Sequence, residues 1–413
     1  MSDLDALFRA VLDRPDDDTP RLVYADALDD LGAADRAAFV RRQVEAARAA
    51  PWEPAAVRFR WHHGETPEGS AWRSELPELP PGLDWDRHPF RRGFPAVVQA
   101  KDAASFVTAA DRLFDIAPVE SLELEVLPAT QVADLTTCSA LARLKRLVLP
   151  SGIGRVMGRD LFRSPHLSQL DDLVIGPGLT SSQTAQAVVD SPVFRGLRSL
   201  SYRDDPRGEA LVAALAGQGA ALALRSLDIQ RSRLTTDGLR RLLGAPVAGG
   251  LECLDVGENH VGVEGFRELG ACDRLVALRR LDARWLGLGS AGVGALVGSR
   301  LASRMRFLNL AGNNFGSNAG VALEATDFPE LRVLDLSENR LGDEGVVQLL
   351  RGRWVAGLRH LDLSDNGIGA VGVEALLRAG EWDELIALDL GGNPLPPDTQ
   401  ETLVDQLGSR VSF

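Results

Sequence analysis

Apolar residues fall in one frame along most of this chain. At the first, fourth and sixth positions of a recurring unit stand leucines or their substitutes. The unit starts at Val119, Leu144, Leu170, Leu197, Leu224, Leu251, Leu278, Met305, Leu331, Leu358 and Leu385, in steps of 25 to 27 residues. Its clearest copies, LRVLDLSENRLGDEG from Leu331 and LRHLDLSDNGIGAVG from Leu358, both read L-x-x-L-x-L-x-x-N-x-L/I-x-x-x-G. Alternation inside that phrase is the period of a short strand, with leucines inward and the residues between them outward. The remainder of each unit, such as GVVQLLRG or GVEALLRAG, has helical spacing and good helix formers. One such strand buries little, but copies stacked at about 4.8 Å form a parallel sheet with a continuous apolar spine.

The polar positions agree with this frame. Asn259, Asn313, Asn339, Asn366 and Asn393 stand where the chain leaves the strand, and a side-chain amide there can satisfy turn backbone that no strand pairs. Gly238, Gly265, Gly292, Gly345 and Gly372 stand where a helix begins close to the sheet. The early copies are degenerate, with Leu127, Gly152, Gly178, Asp205 and Ser232 at the Asn position, yet their phase holds. FPAVVQA at Phe94, 25 residues before Val119, is expected to supply the first, capping strand. Pro396 and Pro397 open a last helix that Gly408 stops, and Arg410–Phe413 are expected to form a final strand. The fold class is therefore α/β. The chain resembles the ribonuclease-inhibitor-like class of leucine-rich repeats over residues 119–407, which implies a right-handed horseshoe with strands on the concave face and helices on the convex one. The resemblance speaks for architecture rather than function.

Three parts are expected: a helical module at 1–48, an irregular capping segment at 49–93 and the solenoid with its caps at 94–413. Within the first, LDALFRAVL, RLVYADALDDLG and DRAAFVRRQVEAAR read as short amphipathic helices. The phrases PDDDTPRLVYAD (Pro15–Asp26) and RAAFVRRQ (Arg36–Gln43) resemble the bacterial repeat-companion domain, a module that precedes repeats; Ala27 stands where that family usually has Trp. Asp16, Asp17 and Asp18 are consecutive and lack a Gly-spaced loop, so they read as helix-start acids rather than metal ligands. Residues 49–93 carry seven prolines and four tryptophans (Trp52, Trp61, Trp72, Trp85), a composition for chain packed over the first repeats. His62-His63-Gly64-Glu65 within it is adjacent-His surface loop.

Composition narrows the function classes. No run approaches the roughly 18–20 apolar residues of a membrane span, and the N-terminus lacks a signal-peptide core. Cys138, Cys253 and Cys272 make neither an even disulfide set nor a C-x-x-C knuckle, so reduced thiols and a cytoplasmic protein are expected. A net charge of −13 argues against a nucleic-acid partner. Of the 45 basic residues only Lys101 and Lys145 are lysine, an arginine excess read as base composition. No nucleophile elbow, P-loop, zinc-helix or dinucleotide phrase is present, so neither enzyme activity nor a cofactor is expected.

Binding candidates come from the outward strand positions. Between the last two leucines lie Asp228, Asp255, Asp282, Asn309, Asp335, Asp362 and Asp389, an acidic column expected to face a basic protein or peptide. The repeat at Leu278 differs most: Arg280, Asp282, Arg284 and Trp285 are expected to be exposed there, Leu286 replaces the Asn, and the next repeat presents Phe307. Arginines beside aromatics have the composition of an interface hot spot. His360 is a further exposed candidate. The reading is a non-enzymatic protein-binding scaffold; a ribonuclease-inhibitor-like regulator of a nuclease or GTPase is the narrower alternative.

Overall fold

The computed structural model of the chain describes residues 3–53, 71–152, 154–178, 182–218, 222–379 and 382–413, and divides into two units, Met1–Leu200 and Ser201–Phe413. Trp61 and the His62–Glu65 phrase lie outside the described residues.

In the second unit the strands Ser226–Asp228, Cys253–Asp255, Arg280–Asp282, Phe307–Asn309, Val333–Asp335, His360–Asp362, Ala387–Asp389 and Val411–Ser412 pair in chain order, all parallel. Register is set by the inward leucines. Leu227, Leu254, Leu281, Leu308, Leu334, Leu361 and Leu388 stand side by side, each at most 1% exposed. Slipping one strand by a residue would turn this spine out to solvent. Helices such as Gly262–Ala271, Gly342–Leu349 and Ala370–Arg378 alternate with the strands. In the Leu278 repeat the α-helix shrinks to Gly289–Gly292 plus a 3₁₀ turn, because LGLGSAGVGALVG holds too many glycines for a longer one.

The asparagines act as the repeat pattern predicts. Asn366 donates to the carbonyls of Leu336 (2.9 Å) and Ser364 (3.0 Å), and its Oδ1 accepts from the amides of Asn339 (3.1 Å) and Leu341 (3.2 Å). Asn259, Asn313, Asn339 and Asn393 repeat the arrangement, so each buried turn is bonded to the next. At the end, Gly408 takes φ 61° after the helix Pro397–Leu407, and Val411 pairs with Leu388.

The first unit opens with helices Asp3–Asp13, Thr19–Asp30 and Ala34–Arg48. Asp17 accepts from the Thr19 amide at 2.8 Å, and Asp18 pairs with Arg48 at 2.8 Å and Arg92 at 3.5 Å. Parallel strands follow at Val97–Ala100, Ser121–Leu124, Arg146–Leu149 and Asp172–Ile175. Here the structure corrects the expected cap. The first parallel strand starts at Val97, and an antiparallel strand, Leu83–Trp85, covers its free edge. Phe94 belongs to a separate hairpin, Phe90–Arg91 with Phe94–Pro95. Its ring joins Val11, Ala25, Leu28, Ala37, Val40 and Val44 in the helical core, 5.2 Å from the Tyr24 ring and 6.0 Å from that of Phe8. Arg36 locks the hairpin on, donating to the Gly93 carbonyl at 2.8 Å and lying over the rings of Phe39, Trp72 and Phe90.

Removing residues 1–93 therefore strips the cover from Val97–Ala100 and exposes Phe94. The truncated chain is expected to aggregate or to unfold at a clearly lower midpoint, since an open strand edge and an uncovered spine are both aggregation surfaces. Thermal melting of soluble material checks this; a soluble fragment with the full-length midpoint would contradict it.

Candidate protein-binding face

Immediately before the Asn position of each repeat in the second unit, the chain turns out of the strand through a left-handed residue. Asp204, Arg231, Glu258, Trp285, Glu338 and Asp365 all have φ between 52° and 62°, and Gly312 and Gly392 fill the same position at 65° and 69°. The amides of this column donate along it: Glu258 to the Arg284 carbonyl (2.9 Å), Trp285 to that of Ala311 (2.9 Å), Glu338 to that of Ser364 (3.0 Å). The repeating ladder holds even a bulky residue in a conformation that costs roughly 1–2 kcal/mol for an L-residue.

Trp285 is such a residue, and it is exposed, at 48%. Its indole lies over Gly312 in the following repeat, where any Cβ would collide with the ring. Glycine at that one position makes the seat for the ring, leaving its outer face open. Glu338 and Asp365, two and three repeats beyond Trp285, are exposed as well.

Arg284, next to Trp285, is tied down. Its guanidinium donates to Asp282 Oδ2 at 2.7 Å, lies 3.5 Å from Glu258 and bonds the side-chain oxygen of Gln230, two repeats back. Gly257 makes room for it, since a Cβ there would stand 2.9 Å from Arg284 Cγ. Arg280 is turned down over the Phe307 ring, its guanidinium carbon 3.6 Å from the centroid.

These contacts correct four expectations of exposure. Phe307 is fully buried, because Arg280 from one side and the register neighbour Val333 from the other cover it. His360 is 3% exposed, fitted between Val333 and Ala387. Asp282 and Asp335 are buried, whereas Asp255 and Asp362 keep part of their surface. At about 4.8 Å between strands, a side chain of any size on this face is walled in by its two register neighbours.

Nor is the acidic column a free stripe. Every member accepts the amide two residues on: Gln230 to Asp228, Gly257 to Asp255, Arg284 to Asp282, Ala311 to Asn309, Ser337 to Asp335, Ser364 to Asp362 and Gly391 to Asp389, at 2.8 to 3.3 Å. These are turn caps, which explains the run of Asp and Asn at this position in the second unit. Packing them in register raises their pKa values. Burial, then the Asp282 and Asp228 charges, pushes Asp255 well above the usual carboxylate range. Burial raises Asp282 and Asp362 too. Asp335 is pushed up to about 7 by burial and by Asp362, against the pull of Ser337. The exposed negative charge of this edge is carried instead by Glu338 and Asp365, which the period-2 reading passed over because they belong to the turn.

A leucine-rich repeat family model matches residues 330–350 and 358–377, in agreement with the repeat geometry. Among solved structures, the chain is similar to one in the crystal structure of the Rad7 and Elc1 complex in yeast, with 13% sequence identity and a TM-score of 0.47 over 100% of this chain and 91% of that one. No curated protein matches the chain. With the phased strands and the asparagine ladder, the matched repeats agree with a leucine-rich repeat architecture.

Proposed function

We propose that this chain is a non-enzymatic protein-binding scaffold, of the ribonuclease-inhibitor-like repeat class, that takes its partner on the strand-exit turns of the second unit. The exposed indole of Trp285 is the observation that carries this reading. A large aromatic is held outward by a laddered left-handed backbone and braced from below by Gly312. Around it, Phe307 and His360 are buried and Arg284 is engaged, so the open contact chemistry is one aromatic with Glu338, Arg340 and Asp365 beyond it. That set suits a partner offering an apolar or cationic group to the ring and charged residues beside it. Arg280, Asp282, Asp255, Asp335, Phe307 and His360 support the face from within, and Arg284 and Asp362 lie at its margin. We read residues 1–48 as a repeat-companion module whose core is completed by Phe94. Among the described residues no helix is long and apolar enough to cross a membrane, and no group of metal-binding side chains occurs.

Truncating an aromatic anchor at an interface centre typically costs about 2 kcal/mol or more. Trp285→Ala is thus expected to weaken binding of the partner recovered by affinity purification by roughly 30-fold. Its melting midpoint should stay within about 2 °C of the parent, as for other surface changes. A large stability loss with unchanged affinity would mean that the indole serves the fold instead.

A further inference from the structure

The opposite, strand-entry edge carries a feature that neither the repeat fold nor Trp285 requires. In the second unit the second position of the frame reads Arg225, Glu252, Arg279, Arg306, Arg332, Arg359 and Ile386. Strand register stacks these residues. The carbonyl of each accepts two amides from the next repeat, as Arg279 does from Arg306 (2.9 Å) and Phe307 (3.1 Å), and Arg306 from Arg332 (2.9 Å) and Val333 (3.0 Å). Four consecutive repeats thus place arginines at about 4.8 Å intervals, a spacing at which neighbouring charges repel by about 0.9 kcal/mol even in water. Arg306 is offset by Glu330 at 2.9 Å and Arg359 by Glu384 at 3.3 Å. Arg279 and Arg332 form no ion pair among the described residues. Arg279 leans on the carbonyls of Val276 and Leu278, and Arg332 on that of Leu331, which leaves the rest of each guanidinium fork open. Glu252 likewise lies 3.7 Å from Arg225, so carboxylates serve the other arginines of the column but, among the described residues, not Arg279 or Arg332.

A second observation falls in the turn that leads into His360–Asp362. Arg351 and Arg353, both exposed and without an ion pair among the described residues, flank a cavity of about 190 Å³ whose apolar wall includes Leu350, Val355 and Trp382. The next arginine of the column, Arg332, reaches the same turn, with Nη1 3.0 Å from where a Cβ on Gly357 would sit.

We infer that this edge is a docking surface for a carboxylate-rich peptide segment of a partner. Arg279 and Arg332, two strands and so about 9.6 Å apart, match carboxylates three residues apart on a polyproline II segment, which rises about 3.1 Å per residue and brings every third side chain back to the same face. Arginine forks take carboxylates two bonds at a time. The net charge of −13 disfavours a long polyanion such as nucleic acid, so a short acidic stretch is the fitting class. This edge shares with the Trp285 face only the premise that the ligand is a protein, and it lies at the other end of the strands.

The test is fluorescence anisotropy of a labelled oligoglutamate peptide of about 12 residues with the full chain at low salt. Saturable binding is expected. Arg279→Gln with Arg332→Gln should weaken it about tenfold, and about 1 M salt, where the screening length is about 3 Å, should abolish it. Arg351→Gln with Arg353→Gln should weaken it as well, and circular dichroism melts confirm that both double variants fold. Trp285→Ala should bind the peptide as the parent does, so this result and the Trp285 result fail separately. Absence of saturable binding, equal binding by both double variants, or tighter binding of an oligothymidylate of the same length would overturn the inference.

Discussion

Arg284→Met is expected to destabilise the second unit by about 3 kcal/mol, the scale seen when one partner of a buried charge pair is removed. The side chain does three tasks at once. It pairs with Asp282 at 2.7 Å, approaches Glu258 at 3.5 Å and bonds Gln230, spanning three repeats. Methionine preserves the stem packed over Gly257 and removes the charge, which leaves Asp255 and Asp282 facing each other in register with Arg280 as the remaining cation acting on Asp282. Adding Asp255→Asn and Asp282→Asn should restore most of the loss, because asparagine still caps the turn, as Asn309 does by accepting from Ala311 at 3.0 Å. Denaturant melts of the single, double and triple variants check this. A loss that persists in the triple variant would place the effect in packing rather than charge.

Stability should rise as pH falls from about 8 to about 5, contrary to the usual course of acid titration. The sign comes from the direction of the shifts. A carboxyl whose folded pKa lies above its unfolded value binds more protons when folded, so stability declines as pH rises from the unfolded pKa, near 3.8, through the folded one. Asp335, with a folded pKa of about 7, puts that decline between about 4 and 7. The groups facing it are Asp362 and Asp282, with the Ser337 amide and hydroxyl as donors. At 1.36 kcal/mol per unit, ionising Asp335 alone would remove on the order of 3 kcal/mol across that window. Asp255, Asp282 and Asp362 are shifted the same way. Asp17 and Asp102 are lowered by hydrogen bonds from Thr19 and Ser105, so their stabilisation is lost only below about 4. Asp335→Asn should accordingly raise the midpoint at pH 8, leave it unchanged at pH 5 and flatten the slope between. The Arg284→Met loss should shrink at pH 5 for the same reason.

The solenoid, the asparagine ladder and the final strand were legible because each comes from a local period repeated many times: misreading one copy leaves ten to correct it. The exposure of Trp285 was legible too, since it breaks that period beside the missing Asn at Leu286. What the period could not carry was contact between repeats. Whether Phe307 faces water depends on Arg280, 27 residues away, and the reach of Arg284 depends on Gly257 and Gln230, in the two preceding repeats. The acidic column looked like a surface because the strand pattern points those residues outward. That each caps its own turn is a matter of backbone geometry two residues downstream. The arginine column was in plain view at the second frame position, but an arginine-rich composition hid it until strand register showed the residues stacked. Phe94 was placed in the first strand because apolar alternation continues from it into Val97, whereas Gly93 closes a hairpin that turns its ring toward the helices.

The central claim, that the strand-exit turns of the second unit are the binding face, is tested most directly by hydrogen–deuterium exchange on the full chain with and without its captured partner. Exchange should slow at residues 284–286, 312–314 and 338–340, the turns around Trp285, Gly312 and Glu338, while the helices Gly262–Ala271 and Gly342–Leu349 exchange as in the free chain. Protection confined to those helices, with the three turns unchanged, would contradict the account.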